Sequence, residues 1–185
     1  TPKTSSAASD VYKRQPFPDQ GTMIRIKDEN TPPSLGSALR EVSKMFLLRN
    51  QALPGGFEVN VSFTEGYSPA DGPTAALAIG LLVESLLTNW ELDPNCAPIG
   101  DLNADGSIQP VREVDQRILA ASPKMPILGL PDQNRTDVVD LALTKGIKPV
   151  TDTQIFLLKT FDDAKALAAP HQARSANLRE AGLLY

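Results

Sequence analysis

Residues Phe57–Asn89 read FEVNVSFTEGYSPADGPTAALAIGLLVESLLTN, and this stretch decides the fold. Phe57, Val59, Val61 and Phe63 alternate with Glu58, Asn60 and Ser62, the period-two pattern of a half-buried strand. A loop from Thr64 to Gly72 follows, broken by Gly66 and Pro69. Pro73 then stands where a first helical residue belongs, because its missing N–H is one the helix would leave unbonded anyway. From Pro73 to Asn89 the sequence is apolar nearly all round, which predicts a central, buried helix.

Working outward, Thr22 to Lys27 predicts a short strand through Met23, Ile24 and Ile26. Pro32-Pro33 stops it, and Ser34 is placed to cap a helix to about Asn50. Leu35, Leu39, Val42, Met45 and Phe46 form that helix's apolar stripe. Pro54-Gly55-Gly56 is a turn. On the other side, Ala97–Leu102 and Ser107–Val111 predict a hairpin through Asn103-Ala104-Asp105-Gly106. Arg112 to Ser122 predicts a helix, and Ile127 to Leu130 a strand. Asn134 caps another helix that Gly146 ends. Ile147–Val150 and Ile155–Leu158 predict late strands before a final helix, Asp162 to Ala169. Strands and helices in this mixed order imply an α/β (α+β mixed) domain of small mixed sheets packed with helices.

The 185 residues suit one domain. Residues 1–15, TPKTSSAASDVYKRQ, carry little apolar content and are expected to be a disordered or non-native leader outside the fold. Residues 170–185 predict a polar helical tail anchored by Leu178, Leu183 and Leu184. The net charge is −4, with 22 acidic and 18 basic residues, and it argues against a nucleic-acid partner. One cysteine, Cys96, excludes an intrachain disulfide framework and a thiolate zinc cluster. The longest apolar run, Ala75 to Leu87, is short of a membrane span and contains Glu84, so the expectation is a soluble, cytoplasmic domain with no membrane partner.

Chemistry has few places to sit. At Asp71-Gly72-Pro73-Thr74 a hydroxyl meets a helix N-terminus, whose unpaired amides can stabilise an anion or oxyanion; the same residues also read simply as a tight turn. Asp101-Leu102-Asn103-Ala104-Asp105-Gly106 matches half a calcium loop, but the twelfth position is Arg112 rather than Glu, so a hairpin turn is the better reading. The only histidine, His171, lies in the expected tail, which argues against a Ser-His-Asp triad and against a histidine-based zinc site. No phosphate-binding P-loop pattern is present, and no cofactor or metal is implied. Trp90, following the buried helix, reads as packing.

Taken together, FEVNVSFTEG at 57–66, DGPTAA at 71–76, IGDL at 99–102, GSIQPV at 106–111 and ILAA at 118–121 resemble the proteolytic domain of Lon protease. The resemblance runs from about Gly21 to Ala169, within an expected domain of residues 16–169. The family's D-G-P-S-A-G nucleophile motif stands here as DGPTAA, and its G-G-x-x-x-K segment as Arg112-Glu113-Val114-Asp115-Gln116-Arg117. The resemblance therefore places the nucleophile at Thr74 and the base at Arg117, 43 residues apart as the family's spacing requires. It adds Asp71 and Asp101 to the catalytic positions, with Ile99 in place of a threonine, and Asn60 and Ser62 in place of histidines. Gly72, Pro73, Phe63 and Thr64 fall at the implied substrate-binding positions. A peptide or unfolded-protein substrate and self-association into a ring are implied, and a separate ATPase partner is left open.

The departures bear on mechanism. Threonine keeps a nucleophilic hydroxyl but adds a crowding methyl. Arginine has no acceptor and a pKa above about 12, so Arg117 cannot take a proton near neutral pH. The reading is a degraded dyad, weakly active or inactive as an endopeptidase and acting in peptide binding or assembly. Two alternatives remain open. One is an active threonine peptidase using another base among Lys44, Lys124 and Lys145. The other is a phosphate or nucleotide binder built on Gly72-Pro73-Thr74 with Arg117.

Overall fold

Proline at a helix start and an apolar stripe at helical spacing produce the first helix, and alternation produces the strand it leads to. The computed structural model describes residues 9–16, 23–26, 33–49, 57–63, 72–122, 124–146 and 148–170. β1 (Ser9–Pro16), β2 (Met23–Ile26), α1 (Pro33–Leu48) and β3 (Phe57–Phe63) come first. β3 lies in the middle of a three-stranded sheet, antiparallel to β1 and parallel to β2. The helix start is one correction: Pro33 is the first residue of α1, so Ser34 lies inside the first turn instead of capping it. Ser9–Pro16, most of which falls in the expected leader, pairs with β3 from Ser9↔Phe63 to Pro16↔Phe57. Backbone pairing alone satisfies such an edge strand, which is why its side-chain pattern gave no sign of it.

A 3₁₀ turn, Pro73–Ala75, leads into α2 (Ala76–Thr88), which ends on Asn89 in the left-handed region at φ 52°. Asparagine tolerates that conformation better than most residues. β4 (Cys96–Pro98), β5 (Asp101–Leu102), β6 (Ile108–Gln109) and α3 (Val114–Ala121) follow. The expected strand Ala97–Leu102 is divided in two. β4 joins β7 (Ile127–Pro131) in parallel, and only β5 turns back on β6, with Asp101 opposite Gln109. Gly106 turns that hairpin at φ 85°.

After β7 a 3₁₀ turn, Asp132–Asn134, enters α4 (Arg135–Lys145), and then come α5 (Lys148–Thr151), β8 (Gln154–Leu158) and α6 (Phe161–Ala168). Of the strand expected over 147–150, Ile147 lies outside the described residues and the other three belong instead to the helical turn α5. A proline in the first turn of a helix loses no hydrogen bond there, and Pro149 occupies such a position. Asn134 precedes α4 as expected, but its side chain makes no cap. Instead the buried amide accepts from the Val111 N–H at 2.9 Å and donates to the Val111 carbonyl at 3.0 Å. It thereby stitches the segment after β6 to the start of α4.

The parallel sheet β4-β7-β8 separates two apolar clusters. One gathers α1, α2 and α6 around Phe46, Leu77, Leu81 and Phe161, with Phe46 and Phe161 edge-to-face at 6.1 Å. The other joins α3 and α4 to Leu128 and Leu130 through Ile118 and Leu141. Trp90 packs against the first cluster, as its sequence position suggested. The tail from residue 171, including His171, lies outside the described residues.

Candidate active site

The site is built around the 3₁₀ turn that precedes α2. Pro73 is exposed and Gly72 is buried in an ordinary right-handed conformation, φ −50° and ψ −64°. Thr74 is half-buried on this turn. Its carbonyl accepts from the Gly100 N–H at 3.4 Å, while the Leu77 N–H donates to the Gly100 carbonyl at 3.2 Å. The second bond satisfies one of the amides that every helix start leaves without a partner inside the helix. Together they clamp the nucleophile-type turn against the backbone that enters β5.

Gly100 permits that clamp. A Cβ at this position would lie 2.6 Å from Ile108 Cγ2 and 3.2 Å from Leu77 Cδ2, so only glycine fits between the hairpin and α2. The next residue, Asp101, is half-buried opposite Gln109 and accepts from the Leu102 N–H at 2.9 Å. Burial pushes its carboxyl above the usual carboxylate range. The Leu102 N–H opposes the shift, and the nearby Glu41 charge reinforces it. Thus Thr74 and Asp101 sit on two segments bound backbone to backbone through Gly100.

Arg117 lies on α3. The residue before α3, Glu113, is left-handed at φ 56° and ψ 39°, at a position where the resemblance expects glycine. That conformation is one glycine adopts more readily than glutamate. Arg117 is half-buried, and its Nε donates to the Arg112 carbonyl at 3.0 Å. Among the described residues no hydrogen bond joins Thr74 to Arg117. Asp71 and Thr64 lie outside the described residues, and Phe63 is the last residue of β3.

Other nucleophile and metal chemistry has little support here. Burial pushes the Cys96 thiol up to about 12, so it supplies no thiolate near neutral pH. Lys44 is exposed and paired with Glu41 at 2.7 Å, and Lys124 and Lys145 are exposed. Among the described residues no cluster of three metal-ligating side chains occurs. Nor is any helix among them long and apolar enough to cross a membrane.

Sequence reasoning did not find an open groove of about 490 Å³ between α3 and α4. Its lining runs from Val111 to Asp115 on one side and from Asp137 to Lys145 on the other. The only sequence signal was the density of carboxylates in these two helices, which reads equally well as a solvated face.

The half-buried Thr74 hydroxyl stands on a proline-started turn whose backbone is bonded, through Gly100, to the strand carrying the half-buried Asp101, within a small mixed α/β scaffold. The chain belongs to the Lon protease (S16) C-terminal proteolytic domain family, whose model matches residues 36–164. Over 101 residues it is 32% identical to a Lon protease of Trichlorobacter lovleyi, an alignment covering 53% of this chain and 12% of that protein. Over 133 residues it is 27% identical to a Lon protease of Geobacter metallireducens, covering 71% of this chain and 16% of that protein. The peroxisomal Lon protease homolog 2 of Eremothecium gossypii is 38% identical over 78 residues, or 42% of this chain and 8% of that protein. The chain therefore spans only a small fraction of the length of these relatives.

Proposed function

We propose that this is a Lon-type proteolytic domain whose catalytic dyad has degraded to Thr74 and Arg117. It is weakly active or inactive as an endopeptidase and acts by binding peptide or unfolded-protein segments, or by assembling with copies of itself. The observation that carries the reading is the chemistry of Arg117. A guanidinium has donors only, and this one already spends its Nε on the Arg112 carbonyl. It could hold the Thr74 hydroxyl only by donating to it, which makes the oxygen less nucleophilic. A general base must titrate near the working pH, and losing one removes about 10²–10⁴ in rate.

The scaffold around the missing chemistry keeps its parts. Thr74 sits at a helix entry, Gly100 clamps it, and Asp101 lies on the adjoining strand. Cleavage of an unstructured casein by the unaltered chain should therefore lie at or barely above the Thr74→Ala blank. The double variant Thr74→Ser/Arg117→Lys should regain turnover. Turnover by the unaltered chain as fast as by the double variant would overturn the proposal and point to a different base.

A further inference from the structure

We infer that the groove between α3 and α4 is a docking site for a basic peptide segment carrying apolar side chains. The assignment rests on the peptide-binding reading above and says where such a segment sits. The floor is apolar: Val111, Val114 and Leu141 all belong to the second core cluster and line the groove. Its walls carry four carboxylates, Glu113, Asp115, Asp137 and Asp140, against two cations, Arg112 and Lys145. Asp137 is engaged by the Asn134 amide at 2.6 Å. Among the described residues Glu113, Asp115 and Asp140 take part in no ion pair, and the groove walls carry two carboxylates more than cations.

An acidic trough over an apolar floor fits a ligand that alternates apolar and cationic groups. An all-apolar ligand would leave the carboxylates to be desolvated without a partner, and an acidic one would be repelled by them. At about 490 Å³ the groove holds a few side chains rather than a folded domain. It also shares Arg112 with the segment that fixes Arg117, so a docked peptide would lie beside the backbone that holds that side chain.

The test uses the full chain carrying Thr74→Ala, so that no cleavage can intrude, and fluorescence anisotropy with three labelled unstructured peptides. Each has two leucines, flanked by lysines, serines or glutamates. Two variants probe the groove: Asp140→Lys reverses one wall charge, and Thr144→Trp fills the space. Both positions are exposed on α4, and thermal melts report whether the fold is kept.

The lysine peptide should bind best and the glutamate peptide worst, with an affinity that falls as salt rises. Asp140→Lys should weaken the lysine peptide by about tenfold while sparing the glutamate peptide, as expected for charge recognition. Thr144→Trp should weaken the lysine and serine peptides alike. If both variants bind the lysine peptide as tightly as the parent, peptide binding stands and the groove assignment falls. If none of the three peptides binds, the peptide-binding reading falls with it. Preference for the glutamate peptide would also overturn the inference.

Discussion

At Glu113 a side chain sits where the backbone asks for glycine. The left-handed conformation at φ 56° costs a non-glycine residue about 1–2 kcal/mol, against about 0.5–1 kcal/mol saved in the unfolded chain by not being glycine. The difference predicts that Glu113→Gly raises stability by about 0.5–1 kcal/mol. Urea unfolding should show a higher midpoint with an unchanged slope; a lower midpoint would mean that the Glu113 side chain contributes more than its strain costs. The same position shows how far the candidate site was legible in sequence. The proline start could be placed because turn chemistry follows from local rules, whereas Thr74 and Asp101 were singled out as catalytic positions by the family resemblance. The backbone at 113 could not be placed, because glutamate carries no sign of a positive φ. Nor could Asn134 be read correctly. Its position before a helix announces a cap, whereas its amide is spent on Val111, 23 residues away.

At the scale of elements, long periodic segments were readable and short ones were not. α1 and β3 each repeat their pattern over enough residues to separate period 3.6 from period two, and α2 was legible from its length and its proline start. β5 and β6 have two residues each, and α5 has four, so no period exists to be read there. What joins the elements also escaped local reading, above all the contact between α2 and α6. Glu84, only 1% exposed on α2, accepts from Lys165 on α6, whose ammonium also lies 5.8 Å from the Trp90 ring centroid. Removing the lysine leaves a buried carboxylate without its cation, which costs about 3–5 kcal/mol in a fully buried pair. Lys165 keeps a third of its side chain in water, so the cost of Lys165→Met should be nearer about 1–3 kcal/mol. Adding Glu84→Leu to Lys165→Met should restore most of that loss. Denaturant curves for the two single variants and the double measure the coupling, and additive losses would show that the pair contributes nothing of its own.

Across the whole molecule, β7 is the element both cores need. It is the middle strand of the parallel sheet and every one of its residues is buried. Leu128 and Leu130 face the α3–α4 cluster, while Ile127 belongs to the cluster of α1, α2 and α6. On that second face a Cβ at Gly129 would lie 2.6 Å from Leu158 Cδ1 and 2.9 Å from Leu167 Cδ2. A strand packed this closely on both sides transmits a loss from one core to the other, because interiors repack little. Leu128→Ala, made in the α3–α4 core, should cost about 2–5 kcal/mol, set by how far the site collapses around the missing atoms. Leu143→Ala, on the exposed face of α4, should change stability by less than about 0.5 kcal/mol. Trp90 packs against the opposite core, so its fluorescence reports whether the two cores unfold as one. Under cooperative unfolding, Leu128→Ala lowers the Trp90 midpoint and the circular-dichroism midpoint by the same amount. A Trp90 transition that stays in place while ellipticity is lost early would show instead that the α3–α4 layer opens by itself. The candidate dyad would then straddle two independently folding parts, since Thr74 enters α2 in one layer and Arg117 rides on α3 in the other.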